Sequence, residues 1–395
     1  MRKMFLFMLM SCAFATTALA NSEVVSSTYD AEKENQLIAE KIQAAVDSII
    51  ANPGDKESID FYKKHNFPKT KMDWISLSYE NGVLRVYGSG NVSLHDKKLI
   101  TSYSNVIKAI VFEEGITGIF SVDYLPELEY VYLPSTLKTL VRSAFYGDKK
   151  LKLVNLPIGI KDISYYTFAY CESLKTIALH DSIKTIYAKA FDGCKSLEKI
   201  YIPKDITVFP DGMFRGCKSL TEINIHEGVT SIGEEAFKDC QSITSIKMPN
   251  TVTEIGEGAF RNMSSLKEVT ISENITEIPE DAFKNCDSLV SVVLPESVNT
   301  LGQDSFKDCD NLESIEFKTP NLLSIAKFSF EHCKKMHTMI VHSNVAPKIS
   351  KIFESENDSK EYYKKVKLYV KPEVFFTFIE TPNWNKFLDI RKIEE

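Results

Sequence analysis

Residues 243–265 read ITSIKMPNTVTEIGEGAFRNMSS, and this order of residue types recurs along most of the chain. Its apolar slots are Ile243, Ile246, Met248, Val252, Ile255, Ala259 and Phe260. The Phe260 slot returns every 23 residues as Phe145, Phe168, Phe191, Phe214, Phe237, Phe283 and Phe306, with Phe330 one residue late. Three residues behind most of them stand Cys171, Cys194, Cys217, Cys240, Met263, Cys286, Cys309 and Cys333. Self-similarity at a fixed period of 20–50 residues marks a solenoid, in which a unit buries its apolar face only by stacking on its neighbours.

Within a unit, Ile246 and Met248 alternate with polar residues, the pattern of a short half-buried strand. Pro134, Pro157, Pro203, Pro249 and Pro295 follow that strand and end its ladder, because proline has no donor N–H. A second extended piece carries Ile183 and Ile186 or their equivalents, and a small residue followed by Phe opens a short helical or 3₁₀ turn. The reading predicts an α/β repeat solenoid of about ten 23-residue coils. The first, 106–127, is degenerate; nine fuller ones run from Leu128 to about Lys335, and Met336, Met339 and Val341 begin another.

The pattern Leu-x-x-Ile-x-Ile-Pro-x-x-Val-x-x-Ile-Gly-x-x-Ala-Phe-x-x-Cys resembles the BspA-like leucine-rich repeats over about 106–342. The flanks resemble that family too: Trp74-Ile-Ser-Leu with Gly82–Gly88 before the repeats, and Leu368–Pro372, Trp384–Phe387 and Ile390 after them. Val370-Lys371 departs from the more usual Val-Pro. The resemblance implies a secreted or surface protein of a host-associated bacterium or parasitic protist. It further implies non-covalent recognition of host or other-cell proteins, and it supplies no catalytic residues.

Five segments are expected: a signal peptide at 1–20, a helical segment at 21–70, a strand-hairpin cap at 71–105, the solenoid at 106–343 and a C-terminal cap at 344–395. Arg2-Lys3, the apolar run Met4–Met10 and Ala18-Leu-Ala20 read as a secretory signal cleaved before Asn21. Leu9-Met-Ser-Cys12 is a weaker alternative, a lipobox that would anchor the chain through Cys12. No later stretch is apolar enough to span a membrane. Residues 30–51 carry a helical stripe from Leu37 to Ile50, a second short helix is expected at 56–65, and Asn81-Gly82 reads as a hairpin turn. At the other end, 354–365 reads as a charged insertion or short helix before a capping strand at Val366–Val370 closed by Trp384.

The net charge is −7, and no basic stripe accompanies the repeats, so nucleic acid is not an expected partner. Phosphate-loop, His-Glu-x-x-His and Gly-x-Ser-x-Gly motifs are absent, and no enzyme or cofactor is expected. The cysteine column could be a disulfide framework, but stacked Cβ atoms keep the strand spacing of about 4.8 Å, wider than the roughly 3.8 Å a bridge prefers. Met263 holds the slot without a thiol, so buried reduced cysteines are the reading. His332, Cys333, His337 and His342 cluster in sequence, but their register should make them diverge. His180 and His226, in identical slots, are read as surface residues.

Side chains flanking the buried Ile of each strand point outward. Large residues gather at the N-terminal end of that strip, and Tyr130, Tyr132, Leu153 and Tyr201 are the candidate partner-binding patch. The competing reading packs these tyrosines against the N-terminal segment. The functional expectation is adhesion to a host or neighbouring-cell protein. The alternative is a glycan-binding accessory protein, with exposed Tyr stacking on sugar rings and Asn155 and Asn224 bonding hydroxyls.

Overall fold

The computed structural model describes residues 30–52, 75–92, 100, 103–353 and 359–394. The expected signal peptide, Cys12, Trp74 and the helix at 56–65 lie outside the described residues. The chain winds into a solenoid of about 13 turns at a spacing of about 23 residues. The sequence suggested about ten; the difference lies in the flanks, which continue the ladder without the Phe and Cys columns. Val83–Gly88 pairs in parallel with Ala109–Phe112, and Lys367–Val370 and Asp389–Lys392 extend the other end.

On the first side, parallel strands stack in the register set by the repeat: Ser245 faces Glu268, and Ser291 faces Ser314. The next step, Ser314 to Thr338, is 24 residues and takes up the insertion that puts Phe330 one residue late. The second side carries two-residue strands such as Ser231–Ile232 against Glu254–Ile255. At the N-terminal end, Ile75–Glu80 pairs antiparallel with Val83–Gly88. Asn81 (φ 49°) and Gly82 (φ 100°) are both left-handed, as a two-residue hairpin turn requires.

The third side, expected as a short helical or 3₁₀ turn, is a chain of turns. Single i→i+3 bonds form, such as Cys194 N–H to Phe191 O at 3.2 Å. The phenylalanine N–H groups instead donate sideways, Phe191 to Met213 O and Phe214 to Ala236 O, into the following coil. With its donors committed to a neighbour, this side cannot propagate a helix. Successive phenylalanine rings lie in near-parallel stacks from Phe145 to Phe330, with centroids 5.1 Å apart for Phe260 and Phe283 and 5.7 Å for Phe237 and Phe260.

Helix α1 (Ala31–Ala51) is capped by Asp30, whose carboxylate accepts the Lys33 N–H at 3.0 Å. Its stripe Ile38, Ile42 and Val46 is buried on the first side of the solenoid against Val83, Ala109, Val111 and Ala178. At the C-terminal end, helix α2 (Ser359–Lys365) leads into Lys367–Val370. Trp384 is fully buried there and donates its indole N–H to Pro347 O at 2.8 Å.

Candidate functional site

The repeat dictates the core, so chemistry specific to this chain resides at the outward slots. Of the four residues expected to form an exposed patch, Tyr130, Tyr132 and Leu153 pack partly buried against α1. The helix is tied there by Asn35, which donates to Ala178 O at 2.8 Å and accepts the Leu156 N–H at 2.8 Å. Tyr201 lies one coil beyond that seam and is half-buried. Asn155, the candidate sugar ligand, is buried and bonds both the N–H and the carbonyl of Leu133 at 2.8 Å, so its amide is not presented to solvent.

The tyrosine-rich N-terminal half is spread over all three sides. Tyr124, Tyr146 and Tyr170 pack edge to face along the third side, and burial pushes the Tyr146 phenol up to about 12. Tyr165 and Tyr187 meet on the second side with ring centroids 4.8 Å apart, next to Val208. These three are exposed at 42, 36 and 47 %. They border an open groove of about 690 Å³ floored by Ile186, Phe209, Ile232 and Ile255, with Asp211, Glu234 and Glu257 along its lip. The first-side slots do not bring the pair out, because its members stand on the second side. Aligning the slots three and four residues before each Phe would have shown it.

Beside the groove runs a ladder of alternating charge. Arg215 bonds Glu235 at 2.9 Å and Asp192 at 2.5 Å, Arg261 bonds Asp281 at 2.6 Å, and Lys284 bonds Asp304 at 2.8 Å. Inside, all seven described cysteines are free and buried. Each thiol donates to the carbonyl of a phenylalanine in the preceding coil, for instance Cys194 to Phe168 O at 3.1 Å and Cys240 to Phe214 O at 3.2 Å. Burial pushes their pKa values up, which leaves them protonated donors rather than nucleophiles.

The C-terminal histidines take separate partners: His332 with Asp308 at 2.5 Å, His337 with Thr338 at 2.8 Å and His342 with Glu316 at 3.0 Å. Among the described residues no group of three His, Cys, Asp or Glu could hold a metal ion. His180 is not the surface residue its slot suggested: it is 2 % exposed. Among the described residues no helix is long and apolar enough to cross a membrane.

Among solved structures, the chain is similar to a leucine-rich cell surface protein from Faecalibacterium prausnitzii (21 % identity, 74 % of this chain and 96 % of that one, TM-score 0.42). It is similar to leucine-rich repeat proteins from Eubacterium ventriosum (21 %, 72 and 94 %, 0.47) and Bacteroides ovatus (20 %, 83 and 100 %, 0.41). Among curated proteins, none matches. The family described as "BspA type Leucine rich repeat region" matches in six copies over residues 118–244 and 230–360. The chain therefore belongs to the BspA-type leucine-rich repeat family.

Proposed function

We propose that the protein is exported and works at the cell surface by binding a protein of a host or neighbouring cell without covalent chemistry. One observation carries this reading: Tyr165, Tyr187 and Val208 stand exposed on successive coils although every core slot around them is filled. Folding gives no reason for them to be there, and contiguous exposed aromatic surface marks interaction sites. The groove they border is open and extended, a form suited to a macromolecule rather than an enclosed small ligand. Family membership and the leader-like residues 1–20 support a surface location. Tyr201, on the first side, lies outside this groove and is kept as a separate candidate contact, while Tyr130, Tyr132 and Leu153 serve to seat α1.

The test is a screen of the purified protein against arrayed extracellular-matrix proteins and arrayed glycans. A saturable protein interaction weakened about tenfold by Tyr187→Ala, the loss typical of one aromatic contact residue, is the expected result. Binding to glycans alone, abolished by free oligosaccharide, would overturn it.

A further inference from the structure

The slot three residues before each repeat phenylalanine holds Asp211, Glu234, Glu257 and Glu280 on consecutive coils, and Glu254 and Glu277 stand beside them on the second side. All of these carboxylates are exposed. Among the described residues none of them makes an ion pair. The neighbouring slot, one residue along, behaves oppositely: Glu235, Asp281 and Asp304 are each matched by Arg215, Arg261 or Lys284. Carboxylates one coil apart are separated by about the strand spacing of 4.8 Å and repel one another. The fold pairs one acidic column and leaves the adjacent one without ion pairs among the described residues, with Asp211 accepting the Glu234 N–H at 2.9 Å and Arg142 and Lys189 lining the same small pocket.

Tyr165 stands in the same column as these carboxylates, two coils before Asp211, and a guanidinium already lies over it. Arg142 lies over the Tyr166 ring at 5.4 Å and the Tyr165 ring at 5.9 Å. Tyr187, beside Tyr165, has no such cation over it among the described residues. An apolar floor, an aromatic wall and an unneutralised acidic lip together suit a side chain with a long aliphatic stem and a cationic head.

We propose that this groove binds a lysine- and arginine-rich segment of a partner protein, with aliphatic stems over Val208 and Ile255, cationic heads on Asp211, Glu234 and Glu257, and Tyr187 as stacking platform. The proposal rests on the protein-recognition reading above and names the chemistry of the partner. A divalent cation is a poorer occupant: it takes six to eight oxygens at about 2.3–2.6 Å, and no such group exists among the described residues. Nucleic acid carries the same sign of charge as the lip, and a neutral glycan has no use for that charge.

The experiment is fluorescence anisotropy of a labelled ten-residue peptide alternating Lys or Arg with Gly or Ala, titrated with the full chain. Saturable binding that weakens with added salt is expected. The double variant Glu234→Lys/Glu257→Lys should weaken it at least about tenfold, and Tyr187→Ala by several-fold. The control Glu222→Lys/Glu268→Lys makes the same charge change on the first side and should shift it less than about twofold, because screening confines such effects to nearby charges. Equal losses in both double variants, absence of peptide binding, or displacement of the peptide by millimolar calcium would each overturn the groove assignment. A protein ligand found in the array screen that is indifferent to Glu234→Lys/Glu257→Lys would sink this proposal and leave protein recognition standing. Silence in both assays would sink both.

Discussion

Each coil turns through left-handed backbone twice, two residues before the repeat phenylalanine and two residues after it. The later slot has φ of 72° at Gly193, 73° at Gly216, 63° at Asp239 and 61° at Asn262, which explains why Gly, Asp and Asn recur there. A Cβ on Gly193 would also sit 2.7 Å from the Tyr170 ring, so Gly193→Ala should cost about 2 kcal/mol or more, read as a lowered denaturation midpoint. The cysteines give a chemical readout: a thiol reagent should find none of the seven accessible in the native protein and all of them after unfolding. His180 gives a pH signature. Its Nε2 bonds Pro157 O at 3.0 Å, its Nδ1 has no partner among the described residues, and burial lowers its pKa. The unfolded chain takes up a proton near the usual imidazole value of about 6.5 while the native chain resists it, so stability is full above that pH and declines below it. His180→Gln should flatten the decline of the melting temperature between about pH 7 and 5.

At the scale of elements, α1 and the first-side strands depend on each other. The apolar stripe and its end at Asn52-Pro53 were legible in the sequence, because helical periodicity is a local property. That it would dock on the first coils follows from its lacking a core of its own, but the contacts that fix it there, 121 and 143 residues away from Asn35 at Leu156 and Ala178, were not legible. For Tyr130, Tyr132 and Leu153 the sequence left two readings, a partner-binding patch or packing against the N-terminal segment, and their contacts with α1 are those of the second: an outward slot is exposed only if nothing else in the chain comes to lie on it. Ile42 is fully buried under the helix. Ile42→Asp should release α1 while the coils beyond Leu220 keep their hydrogen-exchange protection. The amides of Tyr130–Tyr132 and Leu153–Val154 should then exchange faster, and loss of protection throughout the solenoid would show that the helix is part of the core.

For the whole molecule, the repeat made the architecture readable, since one unit solved is every unit solved. The number of turns was underestimated, because the hairpin and the C-terminal strands join the ladder by hydrogen-bonding geometry rather than by the Phe and Cys columns. The third side was legible as a turn but not in its bonding, which is directed into the next coil. Nearest-neighbour coupling of this kind makes the middle of the stack sensitive. Phe260 is fully buried between Phe237 and Phe283, and Phe260→Ala should cost about 3–5 kcal/mol. Denaturant unfolding monitored separately from the two ends should become asynchronous, each block melting on its own.

The long reach of α1 has a consequence for the order in which the chain can be completed. As the polypeptide is made from its N-terminus, α1 emerges well before the carbonyl of Ala178 that Asn35 will hold, 143 residues later. Until then its apolar stripe has no seat, and the early coils wait with one side unsheathed. A growing chain that stops short of Ala178 should leave the helix open to proteases, and one extended past it should close. Under the export proposed above, such a delay would keep the leading end pliable until the segment that fixes it has crossed.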